Sequence, residues 1–406
     1  MRTSSQCAAG FGRGRLLFGG LAIGLACVSG SAWAATRLVP EQFSTIQAAI
    51  DASATGDTVL IGPGTYRGDG NRGIEFRGRD LIVKSREGPD ETVIDCERMD
   101  RGFYLHEWET RASRIEGLTI QHGYAGPGTD MQSGGGVFCG LSDPTIVDCR
   151  ILECQAGADG GGLALIVFSG VVDGCVISGC VAERGGGIWF MMGEAEIENC
   201  VITGNGGAQG GGVCFGGPGP NRLAGCTVSA NWAGEDGGGI LAINPLFLER
   251  CIIWDNCSWT GVDEIWCWDA DMACSDIDTT GVRPHAPVNY DAGCIYIDPR
   301  FCLPVGCGWT TEGDWSLDAS SLCLAENSPC GQLIGALGQG CGGPTPTGAC
   351  CFPDGSCRLL QQSQCEDEQG SYMGDVAACE PNPCHPTPVE TTSWGRLKAR
   401  FRHGGR

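Results

Sequence analysis

Between residues 134 and 256 the apolar positions alternate with polar or small ones for only a few residues before glycine interrupts them. Val137 and Cys139, Leu163 and Leu165, Ile188 and Phe190, Val213 and Phe215, and Ile240 and Ala242 each stand two apart, so each pair shares one face of a strand. A second run surrounds Cys149, Cys175, Cys200, Cys226 and Cys251. Ile146, Val172, Ile197, Leu223 and Leu248 stand three before these cysteines; Ile151, Ile177, Ile202, Val228 and Ile253 stand two after. Asp148, Gly174, Asn199, Gly225 and Arg250 precede the cysteines and fall on the opposite face. A helix would need apolar spacings of three and four over about ten residues. The pattern predicts two short strands per unit, one after the glycines and one around the cysteine.

The units keep a beat. Glycine triplets begin at 134, 160, 185, 210 and 237, and the cysteines follow the same period of about 25 residues. Five positions after each cysteine stand Cys154, Cys180, Asn205, Asn231 and Asn256. Repeats of this length with short strands stack into a parallel β-solenoid, so equivalent residues lie above one another. The reading of IENCVITGNGGAQGGGVCF, residues 197–215, is then architectural. Glycines allow positive φ and close approach of coils, asparagines bond up the stack, and cysteines fill the interior. Free thiols are expected along the cysteine stack rather than vertical disulfides, because parallel Cβ vectors oppose the required torsion.

The combination of Ile202-Thr203-Gly204-Asn205 with Gly210-Gly211-Gly212-Val213 resembles the FxxN and GG-aliphatic repeats of the chlamydial polymorphic outer-membrane family. VPEQFSTIQAAIDASATGDTVLIGPGTYRG, residues 39–68, is similar to the cap and first coil of pectin-lyase-like proteins. The resemblance spans roughly residues 37–341. It implies an all-β, right-handed parallel β-helix whose N-terminal end is plugged by a short helix near Ile46–Ala54. SPCGQLIGALGQGC resembles the closing segment of secreted bacterial members. From Cys257 to Cys341 this region is expected to cap the open end, with Cys257, Cys267, Cys274, Cys294, Cys302, Cys307, Cys323, Cys330 and Cys341 supplying several disulfides.

Composition places the chain outside the cell. Residues 1–34 carry three arginines, an apolar run and Ala32-Trp33-Ala34, the order of a signal peptide. The run is too short and glycine-rich to span a membrane, and no transmembrane segment is expected in the mature chain. Of the 27 cysteines, 25 follow it, which fits an oxidising compartment, secreted or at the cell surface. The β-helix is assigned to 35–341 and a linker to 342–347. Cys350, Cys351, Cys357, Cys365, Cys379 and Cys384 then form a small disulfide module at 348–384, too short to build a core without bridges. A basic tail covers 385–406.

Charge excludes some partners. Loss of three arginines and no acids takes the net charge from −22 to −25, and setting aside the five basic residues of 391–406 takes it to −30. So acidic a body repels nucleic acid, and an acidic polysaccharide would need bridging Ca²⁺, the one cofactor the reading admits.

Parallel β-helices also host carbohydrate-active enzymes, so lyase chemistry is the competing expectation. Elimination from a uronate needs a base beside a group that neutralises the sugar carboxylate. Asp100, Arg101, His106 and His122 are the candidates, set in a charged stretch that also holds Asp95. Asn289-Tyr290-Asp291 and Arg396-Leu397-Lys398 match two parts of the galacturonase pattern, but its DD and GHG parts are missing. Trp254, Trp259, Trp266 and Trp268 are the candidates for stacking on sugar rings. The repeats from 134 to 256 contain neither lysine nor histidine. The expectation is a non-catalytic surface or matrix protein that binds a polysaccharide or another envelope component, with a Ca²⁺-assisted polysaccharide lyase as the alternative.

Overall fold

The computed structural model describes residues 34–129, 131–261, 263–308 and 310–342, and shorter stretches between 348 and 379. Almost all of the expected signal peptide and linker, together with Cys384 and the basic tail, lie outside the described residues. The chain enters through strand Thr36–Val39, and helix α1 follows at Ile46–Asp51. Its buried residues Ile46, Ala49 and Ile50 recur at three and four, so one stripe faces the core. The Thr45 side chain caps the helix by accepting the Ala48 N–H. The helix stops short of Ala54 because the Asp57 carboxylate takes the Ala54 N–H and turns the chain into the first coil.

A full coil of the repeat runs through four parallel sheets rather than two. In one coil these are Glu196–Glu198 in sheet 1, Val201–Thr203 in sheet 2, Gly206–Gln209 in sheet 3 and Val213–Phe215 in sheet 4. The sheets contain eleven, nine, six and eight strands, and every strand pairs with its equivalent one coil away. The single strand expected around each cysteine is two strands. Asp148, Gly174, Asn199, Gly225 and Arg250 all take left-handed φ between 51° and 62°, which bends the chain just before the cysteine. Each cysteine therefore occupies the corner between sheets 1 and 2. The next turn, after the asparagines, contributes the short strand of sheet 3, for which alternation over two to four residues gave no signal.

Rows of inward side chains fill the coil. Ile120, Ile151, Ile177, Ile202, Val228 and Ile253 form one such row on sheet 2, all fully buried. The glycine triplets close the coil between sheets 3 and 4. At Gly211 an added Cβ would sit 2.2 Å from the Trp232 carbonyl oxygen of the next coil. No side chain fits there without parting the stack.

The segment after the last coil does more than cap an end. Strands Phe301–Leu303, Asp314–Asp318 and Gln339–Cys341 form a small sheet on a strap that runs back over the outer face of sheet 2. Phe301, Trp315, Leu317 and Ile334 of the strap pack on Val201 and Ile252 of that face. Three disulfides hold it, Cys257–Cys307, Cys274–Cys330 and Cys302–Cys341, while Cys267, Cys294 and Cys323 are thiols. The strap reaches Ser178, whose hydroxyl donates to the Thr310 carbonyl at 2.9 Å. In the C-terminal module, Gly348–Cys351 pairs antiparallel with Cys357–Leu360 and Ser371–Tyr372. Bridges Cys350–Cys365 and Cys357–Cys379 close it, and Cys351 is bonded as well.

Candidate functional site

The repeat's polar and sulfur-bearing residues face inward and serve the backbone. The thiols of Cys175, Cys200, Cys226 and Cys251 each reach a carbonyl one coil below, at 3.4–3.7 Å. At the next corner Cys154 and Cys180 do the same for Ile120 and Ile151. From Asn205 onward an amide takes over that duty, with Nδ2 donating to Ile177, Ile202 and Val228 in turn. The amide oxygen adds a second bond: Asn205 accepts the Cys180 N–H, Asn231 the Asn205 N–H, and Asn256 the Asn231 N–H. Glu264 ends the ladder by accepting from both the backbone and side chain of Asn256. Burial pushes its carboxyl up to about 8. Cys149 and the other ladder cysteines are buried thiols, as expected.

The four catalytic candidates separate. Arg101 is buried, with its guanidinium 4.6 Å from the Tyr104 ring and its Nε donating to the Ser133 carbonyl. Asp100 accepts the Arg101 backbone N–H, and His106 lies against Tyr104 with ring centroids 4.1 Å apart. Those three are parts of one packed corner. His122 lies elsewhere, at the end of sheet 2, with Nδ1 2.9 Å from Asp95 and Nε2 3.4 Å from Glu153. Burial would raise the Asp95 carboxyl, but bonds from His122, the Glu97 N–H, Arg67 and Gln121 outweigh it and hold the group at about 2. Beside this cluster a cleft of about 530 Å³ opens between Arg98, Glu153 and Gln155 and the strap residues Thr310–Glu312. His122, Glu153, Gly179 and Gly204 occupy equivalent left-handed corner positions. Glycine stands where the strap crosses, since a Cβ at Gly204 would meet the Thr310 carbonyl oxygen at 2.0 Å.

The tryptophans separate too. Trp254 packs against the strap on sheet 2, and Trp259 leans on Trp232 at sheet 3. Trp266 and Trp268 share the outer face of sheet 4 and both contact His285. That face carries one outward row of Tyr104, Phe138, Ala164, Trp189, Cys214, Leu241 and Trp266 in register.

A site that the sequence reading missed lies on the outer face of sheet 1. Arg222, Phe247, Asp271 and Asn289 stand in register on four successive strands. They line a cleft of about 650 Å³ with Leu248, Met272, Tyr290 and Asp291. Phe247, 39% exposed, stands on the outward row with Asp271 and Asn289, whereas Tyr290 falls on the row of buried Leu248 and Met272 and meets Tyr296 edge-on. Arg222 pairs with Glu249 at 2.6 Å, and the Asn289 amide donates to Asp271 at 2.6 Å. Asp291 is fixed by the Cys274 and Gly293 N–H groups, which hold its carboxyl below the usual range. An open ring beside a few convergent polar groups supplies the ingredients of a small-molecule or sugar subsite. The signal available in the sequence was a large aromatic, Phe247, at a position that alternation assigns to solvent. Asn289-Tyr290-Asp291, which matches one part of the galacturonase pattern, falls at this cleft without the companion motifs. Among the described residues no three carboxylate, histidine or cysteine side chains are grouped to hold a metal ion.

Residues 135–265 match a family described as the right handed beta helix region. The solenoid is a right-handed β-helix. This β-helix also shows a likeness to the crystal structure of the pectate lyase Pel9A. Identity is 14%, the alignment covers 73% of this chain and 91% of that one, and the TM-score is 0.36. No curated protein matches the sequence.

Proposed function

We propose that this β-helix is an exported, non-catalytic surface or matrix protein that binds carbohydrate in the sheet 1 cleft. The observation that carries this reading is the exposed Phe247 ring set among Arg222, Glu249, Asp271 and Asn289 on the outer face of sheet 1. A sugar offers an apolar face to rings and hydroxyls to carboxylate, amide and guanidinium groups. The net charge of −22 favours a neutral glycan over a uronate. The groups in the cleft are already paired with one another, which suits holding and orienting a ligand.

The test is affinity electrophoresis on a panel of neutral and uronate polysaccharides, with and without Ca²⁺. Retention on a neutral glycan is expected, and Phe247→Ala should weaken it about tenfold, near 1.4 kcal/mol. Equal retention of the variant would remove the cleft from the account. One observation favours the lyase alternative: Asp95 holds His122 beside the strap cleft. A polysaccharide that gains unsaturated ends, with the activity lost in His122→Ala, would replace the binding reading with that one.

A further inference from the structure

We infer that Asp276 is a proton-operated latch that seats the strap on the end of sheet 2. The outward row beneath the strap runs Val176, Val201, Thr227, Ile252 and Asp276 in register. Val176, Val201 and Ile252 pack against the strap, and the Thr227 hydroxyl accepts its Ala336 N–H at 3.0 Å. The last rung places a fully buried carboxyl where that pattern calls for an apolar side chain. One of its oxygens accepts the Ile297 N–H at 3.2 Å, from the segment that leads into the strap. The other accepts the Cys323 thiol of the strap at 3.2 Å.

Both donors are neutral, and among the described residues Asp276 forms no ion pair. The charged and titratable groups that face it are the Cys323 thiol, Asp298 ahead of the strap, and Asp278 two residues along its own chain. Arg300 points instead to Asp318 at 3.9 Å, and Arg250, whose carbonyl accepts the Gly335 N–H of the strap, points to Glu249 at 4.0 Å. Burial pushes the Asp276 carboxyl up to about 7; Asp298 and Asp278 add to that, against the bonds from Cys323 and Ile297. An isolated carboxylate is costly in such a place, so the seated strap keeps a proton there. Below the ordinary value of 3.8, seated and lifted forms are both protonated and the contact is at full strength. From there to about 7 only the lifted form sheds the proton, and each pH unit favours lifting by up to about tenfold. Above about 7 both forms ionise and the effect levels off. The Cys257–Cys307 and Cys274–Cys330 bridges tether the strap throughout, so the latch sets how often it lifts. Lifting wets Trp315 and Leu317 and bares Val201 and Ile252, which acid therefore keeps covered.

Hydrogen–deuterium exchange of segment 314–324 in the disulfide-intact chain, corrected for the pH dependence of the intrinsic rate, tests this. The expected result is exchange that rises about tenfold or more between pH 5 and pH 7 and then levels off. Asp276→Asn keeps the acceptor for Ile297 and cannot ionise, so its profile should be flat. Asp276→Leu, which continues the aliphatic row, should be flat as well and serves if the amide variant does not fold. Glu264→Gln, away from the strap, should leave the rise in place. A flat wild-type profile would overturn the inference, as would a rise that persists in a folded Asp276 variant. A rise shared equally by the coil segment 226–231 would overturn it too, because the whole solenoid would then be opening and not the strap.

Discussion

Asn231 uses its whole amide: Nδ2 donates to Ile202 and Asn256 of the neighbouring coils and to Ser229 of its own, and Oδ1 accepts from Asn205. Asn231→Ala would leave several buried groups unpartnered, and we expect a loss of about 2–4 kcal/mol in urea unfolding. A loss below about 0.5 kcal/mol, the size of a surface change, would show that the ladder is ornamental. Glu264, at the ladder's end, gives a pH signature. Its folded value of about 8 lies above the ordinary 4.5 because burial disfavours the charge. Its contribution is therefore complete below about 4.5 and disappears as pH rises through about 8. Asp276, pushed up to about 7 by burial, acts in the same direction. Glu264→Gln should flatten the fall in stability between pH 5 and pH 8, and a parallel curve for the variant would contradict the assignment. The ladder was legible in the sequence because its residues recur at one offset. The corner before each cysteine was not, because Asp148 or Arg250 in left-handed backbone looks like an ordinary polar strand position.

At the scale of elements, inward alternation in sheets 2 and 4 survived into the structure, and the period located the coils. The strap did not announce itself. Its contacts join residues more than a hundred positions apart, such as Ala336 to Thr227 and Ser178 to Thr310, and no local period encodes such pairs. Its apolar residues cover Val201 and Ile252, outward positions of sheet 2 whose apolar character reads in sequence only as a strand. Cys257–Cys307 and Cys274–Cys330 pin the strap to the β-helix while Cys302–Cys341 closes its own sheet, so mild reduction should release it while the coils persist. We expect tryptophan emission to shift to the red as Trp254 and Trp315 gain water, with the far-ultraviolet β signal retained. Simultaneous loss of both signals would mean that the coils depend on the strap. Cys323 donates to Asp276 across this same contact, and burial pushes its thiol well up. Alkylation of Cys323 should therefore wait for reduction of the bridges.

For the whole molecule, the proposed binding site lies on an outer face assembled from different coils. Arg222, Phe247, Asp271 and Asn289 come from four coils, and sequence order separates what stacking brings together. Single-residue signals misled for the same reason: His106 and Arg101 sit in a packed corner, while the exposed Phe247 carries no motif of its own. The central claim is that the repeat is architecture and that recognition is confined to the sheet 1 face. Hydrogen–deuterium exchange with and without the retained glycan tests it most directly. The account predicts added protection in segments 221–224, 246–249 and 270–273, with the interior ladder unchanged. Protection gained instead around His122 and Glu153, accompanied by new unsaturated ends on the glycan, would contradict it.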